Sequence, residues 1–119
     1  MSIPSYHDYK STHIDWLERI PRHWKLKSLK YCITRLGSGG TPETKQPEYW
    51  ADEEDGDGLP WVSIGDMSNT EIVLHTQKRL ALKGLASKGL EIFNAGSLLY
   101  SIYATLGKVA TLGVDATFN

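Results

Sequence analysis

Cysteine is nearly absent from this chain of 119 residues, in which Cys32 stands alone. A single cysteine excludes an internal disulfide framework and fits a reducing compartment. The chain also lacks any apolar run long enough to span a bilayer. Its first residues, Met1 to His7, do not show the charged and then apolar pattern of a secretory signal. These absences predict a cytoplasmic protein that does not interact with a membrane.

The short motifs of common enzyme chemistries are missing as well. There is no Gly-Lys-Ser/Thr phosphate loop and no Gly-x-Ser-x-Gly nucleophile elbow. The four histidines, at 7, 13, 23 and 75, have no metal-ligand spacing, and no cysteine pair could bind zinc. The acidic loop, residues 52–57, does not match the calcium-binding loop of an EF-hand. Placing Gly58 at position six puts Ile64 at position twelve, where glutamate is needed. We therefore expect no metal and no cofactor.

One catalytic alternative stays open. Glu43 and Lys45 have the spacing of half a nuclease site, and Asp66 is a formal candidate for the acid that would hold magnesium. However, Asp66 follows Lys45 in the sequence instead of preceding it. A small magnesium-dependent nuclease is thus one alternative, and a protein-interaction domain that does not bind DNA is another.

Charge of one sign is not in excess, since the formal net charge is -1. The acids are nevertheless concentrated, and five of them occupy the six positions from 52 to 57. Without that loop, 13 basic residues face 9 acidic ones, a balance of +4. This remainder leaves room for a nucleic-acid surface away from the loop. On charge alone, a near-neutral protein with mixed surface charges is the simpler interpretation.

Hydrophobic spacing predicts short elements of both kinds. Leu26, Leu29, Ile33 and Leu36 recur at helical intervals and predict a helix over 27–34. A second short helix is predicted over 83–88. Strands are predicted at 61–64, 97–102 and 108–112, with a further short apolar run at 71–74. The last two strands should pair antiparallel, and 97–102, apolar on both sides, should be central. We expect an α+β fold: a small twisted mixed or antiparallel sheet with two or three short helices, preceded by an N-terminal arm over 1–15.

The segment after Leu36 is unusual, because Gly37, Gly39 and Gly40 precede Thr41-Pro42 and exclude a regular helix or central strand. It belongs to an ordered series of motifs: Ile20-Pro21-x-x-Trp24, Gly39-Gly40-Thr41-Pro42, Tyr49-Trp50, Pro60-Trp61-Val62-x-Ile64-Gly65-Asp66, Gly96-Ser97-Leu98-Leu99 and Gly107-Lys108-Val109-Ala110. From about Trp16 to Asn119, this series resembles a target recognition domain of the specificity subunit of type I restriction–modification enzymes.

The resemblance implies a function and partners. Residues 16–119 would form part of a recognition domain that binds one half of a split target in double-stranded DNA. The subunit would have no catalytic activity of its own and would direct methylation and restriction subunits of an endonuclease complex. Methyl donor, ATP and magnesium would bind to those partners. Family members continue with more recognition domain and a helical spacer, so the chain is expected to be the N-terminal part of one domain.

Three clusters are the candidate DNA contacts, because hydroxyls, amides and cations hold phosphates while a few side chains contact base edges. Each cluster, defined below, also has a structural alternative. The glycine loop, residues 38–42, could be only a tight turn, the lysines could be only a solvated face, and Tyr103 could lie in the core. Trp24, Trp50 and Trp61 are assigned to packing, and Asp66 to bracing a turn. The clusters are Ser38, Gly39, Gly40, Thr41 and Lys45; Lys78, Arg79, Lys83 and Lys88, with Arg79 a candidate for guanine; and Ser101, Tyr103 and Lys108. The first and third should contact one duplex.

Overall fold

The computed structural model describes residues 5–52, 54, 56–103 and 106–119. The chain divides into two compact units, Met1–Leu36 and Gly37–Asn119. Within the described ranges, no helix has the length and apolar character needed to cross a membrane. Glu53 and Asp55 of the acidic loop, and Ala104 and Thr105 of the expected turn, lie outside the described residues.

The first unit is built on an antiparallel hairpin of β1 (Tyr9–Ile14) and β2 (Leu17–Pro21). The pairing runs from Tyr9 opposite Pro21 to Ile14 opposite Leu17. Much of the segment expected as an N-terminal arm is therefore strand. Ile20 is buried in this unit, and the Arg22 guanidinium forms an ion pair with Asp8 at 2.8 Å that ties the two ends of the hairpin together.

The helix predicted over 27–34 is wrong. Only a single 3-10 turn, Leu29–Tyr31, forms in that range. The apolar stripe that suggested the helix is exposed, with Leu29 at 75% and Leu36 at 84% of their full accessible surface. A short helix draws most of its stability from burying such a stripe, and helical spacing without burial is therefore not enough.

The described residues of the second unit form seven strands and two short α-helices. Gln46 precedes a further 3-10 turn, Pro47–Tyr49. The strands are β3 (Trp50–Ala51), β4 (Leu59–Val62), β5 (Ile72–Val73), β6 (Lys78–Leu80), β7 (Leu98–Tyr100), β8 (Val109–Leu112) and β9 (Thr117–Phe118), and the helices are α1 (Ile64–Met67) and α2 (Leu82–Ser87).

Two sheets share these strands. The first has the order β3-β6-β4-β9, in which β6 is antiparallel to both neighbours and β9 is parallel to β4. The second has the order β5-β8-β7, with β8 parallel to β5 and antiparallel to β7. Mixed sheets with few short helices confirm the predicted α+β class.

The predicted hairpin of β7 and β8 is confirmed, and Leu98 lies opposite Thr111 while Tyr100 lies opposite Val109. The central position expected for the first of these strands is wrong. β7 is an edge strand, and β8 lies in the middle. Leu98 and Tyr100 are exposed, and only Leu99 between them is buried. An apolar run can thus lie at a sheet edge with one face uncovered.

A single core joins the two sheets of the second unit. It is formed by the buried side chains of Val62, Met67, Val73, Phe93, Leu99, Ala110, Leu112 and Ala116. The rings of Phe93 and Phe118 pack against it with centroids 5.3 Å apart. The segment predicted as a strand over 61–64 ends at Val62, because Ser63 caps α1, which begins at Ile64. The helix predicted over 83–88 is confirmed as α2.

Candidate nucleic-acid interface

The glycine segment that follows Leu36 packs along strand β9. The Gly40 amide donates a hydrogen bond to the Phe118 carbonyl at 2.9 Å. A side chain at Gly39 would collide with Phe118 and would lie 2.6 Å from the Asn119 carbonyl oxygen. Gly39 is therefore required by the close approach of the chain to its own backbone. Ser38 and Thr41 remain exposed on the outside of the segment.

Two tryptophans donate hydrogen bonds to main-chain carbonyls of this segment and of Glu43, which follows it. The Trp61 indole nitrogen donates to the Gly40 carbonyl at 3.0 Å, and the Trp50 indole nitrogen donates to the Glu43 carbonyl at 3.3 Å. The two rings meet edge to face, with centroids 5.1 Å apart. Since Trp61 is buried and Trp50 is half-buried, their assignment to packing is confirmed, with the added role of anchoring the loop.

Lys78 lies beside the same tryptophans. Its ammonium is 5.1 Å from the Trp50 ring centroid and 6.0 Å from that of Trp61. Contact with an aromatic face attracts a cation and restrains a long side chain. Because both indoles also bind the loop, Lys78 is placed next to residues 40–43 while staying exposed. Lys45 is exposed on that loop, where its amide donates to the Glu43 carboxylate at 3.3 Å.

Arg79, the candidate for contacting guanine, faces a different neighbour. Its guanidinium donates a short hydrogen bond to the Gly58 carbonyl, at the end of the acidic loop. Its side chain is half-buried and packs where a side chain at Gly58 would fall. A base edge would have to compete with this contact, so the position favours a structural role for Arg79 over base contact.

The remaining two cations of the basic cluster lie in α2 and directly after it. Lys83 pairs with Glu48 at 3.5 Å, although both side chains are more than half exposed and such a pair adds little stability. Lys88 follows the helix and is exposed. The Ala81 amide donates to the Tyr49 carbonyl at 3.0 Å, which fixes the helix start beside the turn that follows the glycine loop.

The third cluster lies on the connection between β7 and β8. The Lys108 amide donates to the Ser101 hydroxyl at 2.8 Å, and the Gly107 amide donates to the Ser101 carbonyl at 2.9 Å. Ser101, which is half-buried, thus links the two ends of this connection through its hydroxyl and its carbonyl. Tyr103 is 88% exposed, so its alternative assignment to the core is wrong. Gly107 has φ of 79°, a conformation that favours glycine at this turn.

The structure thus brings the first two clusters together and carries the third on another sheet. The glycine loop, Lys78 and α2 are connected through Trp50, Trp61 and Tyr49 around the four-stranded sheet. Residues 101–103 and 106–108, on the connection between β7 and β8, adjoin the three-stranded sheet. Contact of both surfaces with one duplex stays a prediction.

Asp66 acts within the fold, as predicted for a residue that braces a turn. Its carboxylate accepts hydrogen bonds from the Ser63 amide and hydroxyl at 2.9 Å and from the Gln77 amide at 3.0 Å. The interaction with Ser63 caps α1. The searched part of the chain contains no group of three or more His, Cys, Asp or Glu placed to hold a metal ion.

Sequence reasoning missed how the charge divides between the two units. Residues 1–36 carry seven lysines and arginines against three acids, a balance of +4. Residues 37–119 carry six against eleven, a balance of -5. The positive remainder noted outside the acidic loop therefore belongs entirely to the first unit. The sequence contains this difference in net charge, but the boundary between the two units, at Leu36, comes from the structure.

Comparison with known proteins finds a similarity to a restriction-enzyme subunit. No family model matches the chain. Over 91 residues, 76% of its length, the chain is 29% identical to the specificity subunit of the type I restriction enzyme HindI from Haemophilus influenzae. The aligned region covers 18% of that protein, so the chain spans about a fifth of the relative it matches.

Proposed function

We propose that this chain is part of a target recognition domain of a type I restriction–modification specificity subunit and binds double-stranded DNA at one half of a split target. The observation that carries the proposal is the similarity to a named specificity subunit over 76% of the chain. The motifs around the glycine loop, Trp50 and Trp61, which suggested the same family, form a single packed arrangement in the second unit.

The surface around that arrangement suits phosphate contact. Lys78, Lys45 and Lys88 are exposed, and Lys78 is restrained by two indole rings beside the loop. A restrained cation loses less conformational entropy on binding than a free one. The hydroxyls of Ser38 and Thr41 lie on the same loop and can donate to phosphate oxygens.

Base discrimination is assigned to the exposed hairpin. Tyr103 follows Ser101, which binds the Lys108 amide on the other side of the turn, and its exposed ring is available to contact DNA. In this proposal the chain has no catalytic activity, and it directs the methylation and restriction subunits that modify or cut the DNA. The engagement of Asp66 in capping α1 supports that assignment over a nuclease.

The proposal is tested by selection from a pool of duplexes with a randomised core, incubated with the chain at low salt. Enrichment of a short sequence is expected. Lys78→Ala should preserve the enriched sequence and lower the slope of log affinity against log salt by about 0.9, the loss of one phosphate contact. A Tyr103→Ala variant should weaken the enrichment itself.

Asn69→Asp is the matched control, because it makes the same change of one charge at an exposed position that follows α1 in the same unit. It should retain the parent slope. Equal losses for Lys78→Ala and Asn69→Asp would mean that only net charge matters at Lys78. Retention of the pool with no enriched sequence would contradict sequence-specific recognition.

A further inference from the structure

The first unit holds the densest run of positive charge in the protein. Between Arg19 and Leu36 there are six lysines and arginines and no aspartate or glutamate. This is nearly half of the 13 cations of the chain within one short segment. None of these residues belongs to the three clusters assigned to DNA contact above.

The structure leaves the central part of this run open to solvent. Lys25, Lys27 and Lys30 are all exposed. Lys30 lies over the Tyr31 ring at 5.0 Å, a contact that restrains it without neutralising it. Arg22, by contrast, is paired with Asp8 at 2.8 Å, and it also donates to the Tyr9 carbonyl at 3.1 Å. The three lysines thus present positive charge to solvent, whereas Arg22 holds the hairpin.

The second unit is a poor source of long-range attraction for DNA. Its balance of -5 includes the acidic loop, of which Asp52, Glu54 and Asp57 are described and exposed. A polyanion is repelled by such a surface, and only local contacts by individual lysines can offset the repulsion. The first unit has a charge balance of +4 and therefore attracts a duplex.

We propose that Lys25, Lys27 and Lys30 form a phosphate-binding surface that supplies most of the sequence-independent affinity of this chain for duplex DNA. The inference rests on the proposed function and assigns backbone binding and base contact to different units. The first unit attracts and retains the duplex backbone, and the second unit contacts the bases. The ligand of this surface is the phosphate backbone, whatever the base sequence.

The test measures binding of a labelled random-sequence duplex by fluorescence anisotropy over a range of sodium chloride concentrations. The triple change Lys25→Gln, Lys27→Gln and Lys30→Gln removes three charges, and the slope of log affinity against log salt should become shallower by about 2.7. The triple change Lys45→Gln, Lys83→Gln and Lys88→Gln removes the same charge from the second unit and should change the slope less. Ser28→Gln, on the same exposed segment, leaves the charge unchanged and should keep the parent slope.

Circular dichroism of each variant confirms that the fold is retained. A first-unit triple variant with the parent slope would overturn the inference, as would a larger change in the second-unit variant. Failure of this inference is distinguishable from failure of the proposed function. Enrichment of a sequence with an unchanged first-unit slope refutes the phosphate surface alone. A lowered slope with no enriched sequence refutes specific recognition alone, and absence of any DNA binding at low salt overturns both.

Discussion

Replacing Gly39 with alanine tests whether the glycine loop is fixed to strand β9. The added methyl group would enter space taken by the Phe118 carbonyl and ring and by the Asn119 carbonyl. Most of these atoms are backbone and cannot turn aside as a flexible side chain would. Either the loop or the edge strand must shift, and the hydrogen bond from the Gly40 amide to the Phe118 carbonyl is then lost or lengthened.

The magnitude follows from two costs. Forcing an extra methyl into a packed site costs about 1–3 kcal/mol. Loss of the Gly40–Phe118 bond, and of the bond from the buried Trp61 indole to the Gly40 carbonyl, adds about 1 kcal/mol each. We expect Gly39→Ala to lower the free energy of unfolding by about 3–5 kcal/mol, a large share of the 5–15 kcal/mol typical of a native protein.

Urea denaturation followed by circular dichroism measures this change. Gly65→Ala is the control, because a methyl group at Gly65, in α1, would meet nothing closer than the Ser63 hydroxyl oxygen at 3.9 Å. That variant should match the parent or gain up to about 1 kcal/mol, since alanine is the better helix former. A Gly39→Ala protein as stable as the parent would show that the loop does not pack on β9, and the glycines would then need another explanation.

Three further outcomes are expected. Asp66→Ala removes the acceptor that caps α1 and binds the Gln77 amide, and it should cost about 1–3 kcal/mol in denaturation, whereas Glu71→Ala at an exposed position should stay within about 0.5 kcal/mol. Leu99→Ala should cost about 2–5 kcal/mol because Leu99 is buried, while Tyr103→Ala should leave stability within about 0.5 kcal/mol. Incubation with plasmid and magnesium should give no nicking by the parent protein; nicking that disappears in Glu43→Ala would favour the nuclease alternative.

Local signals predicted the second unit better than the first. The turn at Asn94-Ala95-Gly96 forms with Gly96 at φ of 95°, and the two strands that follow pair antiparallel as predicted. Helix α2 was predicted within one residue at each end. In each of these cases the decisive information, turn residues and short-range periodicity, lies within a few residues of the element that it specifies.

Burial, in contrast, depends on which elements become neighbours, and sequence pattern does not contain that information. The stripe ending at Leu36 has helical spacing but stays exposed, so the helix does not form. The apolar strand around Leu99 was expected in the middle of a sheet, but β8 takes that place by pairing with β5 from a distant part of the chain. Both errors come from treating apolar character as equivalent to burial.

The glycine loop shows how the same residues support a structural and a functional interpretation together. Gly39 is explained by packing on β9, to which the Gly40 amide also binds, and this alone would favour a simple turn. Yet the loop that this packing fixes carries an exposed threonine hydroxyl, and the indoles that anchor the loop also contact Lys78. A binding surface needs rigid support beneath its polar groups, because each side chain ordered on binding costs affinity.

The division of charge places a physical constraint on any account of DNA binding by this chain. A unit with a balance of -5 can discriminate among bases only after something else has brought the duplex close, since phosphate repulsion acts at longer range than hydrogen bonds to base edges. We propose that the exposed lysines at 25, 27 and 30 meet that need from within the same polypeptide. Separation of attraction from discrimination predicts that their removal weakens binding to every sequence by the same factor, while changes in the hairpin around Tyr103 alter the ratio between sequences.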